Sequence, residues 1–173
     1  MKYNLLKIYC KLLHKDFNIA SIKFFRKRGI IIGNDCHIYS NCITTEPFLI
    51  EIKNNVTIST GVTLLTHDNA ICKADEDYTD VFGKIIIGNN CFIGANSLLL
   101  PGIEIADDII VGAGSVVSKS LKEEKSVYAG NPARRICSIE EYYKKNKEHA
   151  INISKLNPDE KKELIFNSTL LKR

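Results

Sequence analysis

An aliphatic residue returns at every sixth position through the middle of this 173-residue chain, and that period suits few folds. The longest run opens Ile87-Gly88-Asn89-Asn90-Cys91-Phe92 and continues through Ile93, Leu99, Ile105 and Val111 to Val117 without a break. Two earlier runs share the period. One is Ile32-Gly33-Asn34-Asp35-Cys36-His37 followed by Ile38-Tyr39-Ser40-Asn41-Cys42-Ile43; the other is Ile52-Lys53-Asn54-Asn55-Val56-Thr57 followed by Ile58 and Leu64. A helix repeats its apolar face every ~3.6 residues and a half-buried strand every ~2. Six fits a unit of one short strand and one turn. The leading aliphatic residue points inward. Four positions later comes a second inward residue, small or β-branched: Cys36, Cys42, Val56, Val62, Cys91, Ser97, Ile103, Ile109 and Ser115. Gly, Asn and Asp between them suit the turns. Three units close a triangular coil, and stacked coils bury a continuous core.

The period breaks twice. Thr44 to Ile52 is eight residues instead of six, so Glu46-Pro47 is expected to bulge from a corner. Leu64 to Ile87 is twenty-three, which leaves about seventeen extra residues outside the coil, including Thr66-His67-Asp68-Asn69 and the acidic run Asp75-Glu76-Asp77. A long loop expelled from a rigid scaffold is a place for function. The pattern therefore divides the chain into an N-terminal helical segment (1–29), a coil (30–137) with an extruded loop (66–86), and a C-terminal helical tail (138–173). The fold class expected is mainly β, a parallel β-helix of hexapeptide repeats.

Composition sets few further limits. At 45% hydrophobic and 25% charged, the chain can bury a core as one domain. The net charge of +4 is mild, and no nucleic-acid module is visible. Lys23, Arg26, Lys27 and Arg28 form a basic cluster, read as a solvated face, with an anionic membrane or polyanion as the sharper readings. Lys2, Lys7, Lys11, His14, Lys15 and Asp16 interrupt the apolar positions of 1–20, so neither an export signal nor a membrane span is expected, and a cytoplasmic location follows. Leu5, Ile8, Tyr9, Leu12 and Leu13 recur at helical spacing. They predict an amphipathic helix docked on the protein or a partner subunit rather than on a membrane. None of the six cysteines forms a Cys-x-x-Cys pair. Cys36, Cys42 and Cys91 fall on the inward small position, while Cys10, Cys72 and Cys137 lie outside the repeat and are free to be exposed.

Ile87-Gly88-Asn89-Asn90-Cys91-Phe92-Ile93-Gly94-Ala95-Asn96, Pro101-Gly102, the run from Val111 to Lys119, and Ala129-Gly130-Asn131-Pro132-Ala133-Arg134 together resemble the hexapeptide-repeat acetyltransferase superfamily. The sugar and antibiotic O-acetyltransferases are the branch most alike. The resemblance implies a left-handed coil, a homotrimer with its site between subunits, acetyl-CoA as co-substrate and no metal. It also implies a small-molecule or polymeric saccharide acceptor, in a surface polysaccharide or its precursor.

Acetyl transfer to a hydroxyl needs a base, and neutral imidazole is poised for it near neutral pH. The resemblance assigns that role to His67 and gives the backbone amide of Ala95 as oxyanion donor; Asp68, adjacent to His67, is a possible orienter, with Glu46, Glu51, Asp75 and Asp77 as rivals. For coenzyme A it implies Gly94, Ala95, Ala113, Ser118, Lys119 and Arg134. For the acceptor it implies Glu46, and Asn69 is a further candidate for a similar polar role. The alternatives are N-acetylation of an amino sugar, O-acetylation of an antibiotic and, further off, serine acetylation. A scaffold role is a third class; a three-histidine zinc site has no suitably spaced set here.

Overall fold

The computed structural model describes residues 3–42 and 44–171; Ile43, the last residue of one hexapeptide, lies outside them. Short parallel strands build three sheets, and the chain visits them in turn. The first face stacks Ile31–Ile32, Ile50–Ile52, Ile85–Ile87 and Glu104–Ile105. The second stacks His37–Ile38, Thr57–Ile58, Phe92–Ile93, Ile109–Val111 and Ser126–Ala129. The third stacks Thr63–Leu64, Leu98–Leu99 and Val116–Val117. Pairing fixes the register. Ile87 lies beside Ile105, Ile93 beside Val111 and Leu99 beside Val117, each eighteen residues on, or three hexapeptides. Across the first break Ile38 pairs with Ile58, and across the second Ile58 pairs with Ile93, so the extra residues are extruded and the stack resumes in phase.

The inward positions make the core. Ile38, Ile58, Ile93, Val111 and Val117 are fully buried, and so is Leu99. Cys36, Cys42 and Cys91 are also inside. Burial pushes the Cys42 thiol up to about 12 and Cys91 up to about 11, so neither is a thiolate at neutral pH. Cys10 is buried too, on the inner side of the first helix, where the sequence left it free to be exposed.

One corner recurs in the left-handed backbone region, at Asp35, Asn55, Asn90 and Asp108, with φ between 53° and 56°. Asn and Asp accept that region more readily than other side chains do. Their side chains also ladder from coil to coil, Asn55 Nδ2 donating to Asn90 Oδ1 at 2.8 Å and Asn90 Nδ2 to Asp108 Oδ1 at 2.6 Å.

A stack of coils has an open edge at each end, and unpaired strand edges invite aggregation. Helix α1 (Tyr3–Leu12) and helix α2 (Phe17–Lys27) close the first. Phe25 of α2 is fully buried, Tyr3 of α1 stacks on it at 5.5 Å between centroids, and the Tyr3 hydroxyl donates to Ser40 O at 3.1 Å. The Asn18 side chain pairs with the edge as a strand would. Its Nδ2 donates to Cys36 O at 2.9 Å, and its Oδ1 accepts from Ile38 N at 2.8 Å. Arg26 covers the neighbouring face, with Nη2 donating to Ile32 O and Gly33 O at 2.8 and 2.6 Å. At the other end Arg134–Ser138 folds back antiparallel on Ser126–Ala129. Helix α3 (Ile139–Asn146) then begins with a Ser138/Glu141 capping box, and helix α4 (Pro158–Asn167) follows an Asn157 cap.

The α1 face expected to dock does not dock within this chain. Tyr3, Leu6 and Cys10 pack inward, whereas Leu5, Ile8, Tyr9, Leu12 and Leu13 are exposed. The aromatic contacts of Tyr3 with Phe17, Phe24 and Phe25 fix the rotation of the helix, which the apolar spacing alone left ambiguous.

Replacing Asn18 by Ala strands one amide and one carbonyl at the first edge. The expected cost is about 1–3 kcal/mol in denaturant unfolding. An unchanged midpoint would assign the closing of this edge to other groups.

Candidate functional site

His67 stands where the chain leaves the third face. His67–Asp68 pairs antiparallel with Val81–Phe82, and Gly83 N donates to Thr66 O at 2.9 Å, so the excursion has a narrow neck. A Cβ on Gly83 would sit 2.1 Å from Gly102 N, which is why the returning strand carries glycine at that point.

The imidazole is held by a carboxylate. His67 Nδ1 lies 2.9 Å from Glu46 Oε2, and the Thr66 hydroxyl donates to the same oxygen at 2.7 Å. Glu46 precedes the 3-10 turn Pro47–Leu49, on the two-residue bulge of the coil below. Hydroxyl donors, Thr45 first and then Thr66, together with the imidazole, lower its carboxyl to about 2. At neutral pH Glu46 is therefore ionised and can only accept, so Nδ1 carries a proton toward it, and in the neutral ring Nε2 is the nitrogen with the lone pair. The ring is 40% exposed, and Phe82 lies 6.0 Å from it between centroids.

Asp68 does not share that arrangement. Its Oδ1 accepts from Ala70 N at 2.8 Å, opening the 3-10 turn Ala70–Lys73, and this local bond turns the carboxylate away from its neighbour. Glu46, read first as an acceptor-binding group, takes the position beside the imidazole. Asn69 is exposed, with no side-chain cap to that turn.

The remaining residues divide between two edges of the third face. Gly94 and Ala95 form the corner before Leu98–Leu99, and Ala113 sits at the equivalent corner one coil on, where Gly114 N donates to Ala95 O at 2.8 Å. Only glycine fits at 94, since a Cβ would meet Ala113 N at 2.5 Å and Val111 O at 2.6 Å. The Ala95 N–H has no acceptor among the described residues. The turn that leads to Arg134 covers the same corner, Val116 N donating to Gly130 O and Ala133 N to Val116 O. Arg134 is exposed and donates to Ala133 O at 3.1 Å. His67 and Glu46 lie at the opposite edge of that face, as do Ser118 and Lys119, both exposed. Six residues, 96–101, separate the two corners, a path on the order of 20 Å for extended chain. A single chain thus keeps its imidazole apart from its Ala95 corner.

Among the described residues no group of three or more His, Cys, Asp or Glu could hold a metal ion, and no helix is long and apolar enough to cross a membrane.

These features, a stack of parallel hexapeptide coils with a histidine at an extruded loop, define the class. A profile described as the hexapeptide repeat of succinyl-transferase matches residues 29–66 and 84–119. Over 166 residues the chain is 42% identical to Protein CapG of Staphylococcus aureus, covering 93% of this chain and 94% of that protein. The fold is similar to that of a maltose O-acetyltransferase from Clostridium difficile 630, with a TM-score of 0.56 at 25% identity over 79% of this chain and 87% of the other. It is also similar to the hexapeptide-repeat acetyltransferase VCA0836 of Vibrio cholerae O1 biovar eltor, solved with acetyl coenzyme A, with a TM-score of 0.57 at 24% identity over 64% of this chain and 61% of that one. The chain belongs to the hexapeptide-repeat acetyltransferase superfamily, and its class of activity is acyl transfer.

The depressed Glu46 pKa makes a signed prediction. The ionised carboxylate contributes stability that is complete above its ordinary value near 4.5 and is lost as pH falls toward about 2. Wild type should therefore unfold at a higher temperature than Glu46→Gln at neutral pH, with the gap closing through that window. A gap that stays constant with pH would show that Glu46 acts through packing instead.

Proposed function

We propose that this protein is an acetyl-CoA-dependent O-acetyltransferase acting on a saccharide hydroxyl of a surface polysaccharide or its precursor. The observation that carries the reading is the 2.9 Å contact between His67 Nδ1 and Glu46 Oε2, because it leaves Nε2 as a base aimed away from the carboxylate. Similarity to a maltose O-acetyltransferase and to an enzyme solved with acetyl coenzyme A supports the acceptor class and the donor. The exposed Phe82 beside the imidazole offers a flat apolar surface of the sort a sugar ring packs against.

Acetyl-CoA supplies the acyl group as a thioester. His67 Nε2 takes the proton of the attacking hydroxyl, and Glu46 stabilises the imidazolium that results. The Ala95 N–H, which has no acceptor among the described residues, donates to the oxyanion that develops on the acyl carbonyl. The imidazolium then returns its proton to the departing sulfur, so the products are the ester and free thiol. Lys119 and Arg134 are exposed, and neither is in an ion pair among the described residues, which fits a phosphate-bearing donor. Gly94, Ala113 and Ser118 would flank its pantetheine arm with backbone groups. Asn69 lies on the acceptor side.

The reading requires an oligomer. His67 and Ala95 lie at different edges of the third face, so a complete site needs the loop of one subunit against the corner of the next. A cyclic homotrimer of left-handed coils meets that need. Residues 30–137 would form the catalytic unit, with 1–29 and 138–173 as flanking segments.

Transfer from acetyl-CoA to a panel of simple sugars, nucleotide-linked amino sugars, serine and chloramphenicol, read as released thiol, tests the function. Transfer to a sugar hydroxyl is expected. Turnover confined to amines or to chloramphenicol would replace the acceptor class. His67→Ala should lower kcat by ~10²–10⁴ while coenzyme A affinity is retained. Glu46→Gln should lower kcat while leaving KM for acetyl-CoA unchanged, because Glu46 acts on the imidazole and not on the donor. Full turnover in His67→Ala would remove the imidazole from the mechanism. Arg134→Ala should raise KM for acetyl-CoA more than for dephospho-acetyl-CoA; equal effects would remove its assignment to the 3′-phosphate.

A further inference from the structure

The helical hairpin at the first end of the stack carries an apolar face that none of the described residues covers. Helix α1 turns Tyr3, Leu6 and Cys10 inward. On its other side Leu5, Ile8 and Leu12 are 55%, 56% and 73% exposed. Their spacing puts them on one stripe, and Leu13, half exposed, follows in sequence. None of the three contributes to the core that α1 builds, so their exposure is not a by-product of packing.

The charges around that stripe have one sign. From Met1 to Arg28 the sequence holds eight Lys or Arg and a single acid, Asp16, which is engaged in capping α2. The rest of the chain holds sixteen basic and nineteen acidic residues, so the net positive charge is concentrated at this end. Arg26 is bound to the Ile32 and Gly33 carbonyls, whereas Lys7, Lys11, Lys23 and Lys27 are exposed, as is Lys15, which donates to the Tyr9 hydroxyl at 3.1 Å. Two apolar grooves lie on the hairpin, and cations rim both. One, of about 420 Å³, has Ile8, Cys10 and Phe17 as its floor and Lys7, Lys11 and Lys15 at its rim. The other, of about 460 Å³, has Leu6, Ala20 and Phe24 as its floor and Lys23, Lys27 and Arg28 at its rim.

An apolar floor within a ring of cations matches a lipid, acyl chain below and anionic headgroup above. We infer that this hairpin docks the protein on an anionic membrane surface, with Leu5, Ile8 and Leu12 entering the headgroup boundary and the lysines meeting phosphates. The helix lies on the surface and does not cross it, which agrees with its ten-residue length. A second copy that meets this face with its own hairpin is a poorer occupant, since lysines would be set against lysines; a contact with another face of a cyclic oligomer is the alternative that the oligomeric state of the stripe variant tests. The inference goes beyond acetyl transfer, and it is read without any acceptor.

The full chain is mixed with phosphatidylcholine vesicles with or without phosphatidylglycerol, and bound protein is measured by co-sedimentation. Binding to the phosphatidylglycerol vesicles is expected, much weaker on phosphatidylcholine alone and weakening as salt rises. Lys7→Gln and Lys11→Gln should each weaken it about fivefold. Combined Leu5→Ser, Ile8→Ser and Leu12→Ser should abolish it while circular dichroism stays that of wild type. No binding to phosphatidylglycerol vesicles would overturn the inference, as would undiminished binding by the triple variant. A smaller oligomer for that variant in light scattering would also overturn it, by assigning the stripe to a second copy.

Discussion

Main-chain hydrogen bonds between successive coils set the register on which everything else in this protein rests. Each short strand bonds to its counterpart one circuit away, so each inward side chain meets its equivalent above and below. The result is a column of Ile, Val and Leu closed at the corners by Gly, Asn and Asp. A strand of two residues makes too few bonds to persist by itself. Stacking makes it stable, because every added coil pairs along three faces at once. The same dependence explains the ends. The first coil has no partner below it, and the Asn18 amide and Arg26 guanidinium supply the missing bonds from a helix.

Register also brings the paired groups together. Glu46 and Thr66 are twenty residues apart, and twenty is the offset between the first two coils, as Ile38 and Ile58 show. The bulge that projects Glu46 and the break that releases His67 therefore fall at one corner, one above the other. Carboxylate, threonine hydroxyl and imidazole meet there because the repeat fails twice at the same point of its circuit. The Ala95 corner belongs to a stretch where the repeat never fails, and close packing against Ala113 and Val111 holds its backbone. One half of the proposed site is made by departures from the pattern and the other half by strict adherence to it.

Much of this was legible in the sequence. The period of six announces inward positions one by one, and the lengths of both interruptions follow from counting. The partner of His67 was also within reach of that counting, since subtracting one lengthened circuit from Thr66 gives Glu46. What obscured it was proximity along the chain. Asp68 is adjacent to His67, yet a short side chain at that position bonds its own backbone two residues on, as Asp68 does with Ala70. Two other features were hidden for physical reasons. The rotation of α1 depends on how Tyr3 meets Phe17, Phe24 and Phe25, and a helix with apolar residues on two sides gives no sequence signal for which side packs. The place of Phe82 beside the imidazole depends on a loop that obeys no repeat.

The narrow neck formed by Thr66 and Gly83 has an evolutionary consequence. The coil regains its phase at Ile85, directly above Ile50, whatever the chain does in between. Residues 69–80 can accordingly be lengthened, shortened or exchanged without displacing His67, a single core side chain or the corner at Ala95. On the proposed function, a lineage built on this plan can change what it recognises by rewriting one surface excursion while the corner at Ala95 stays under separate selection. Divergence of specificity then needs no compensating change in the scaffold.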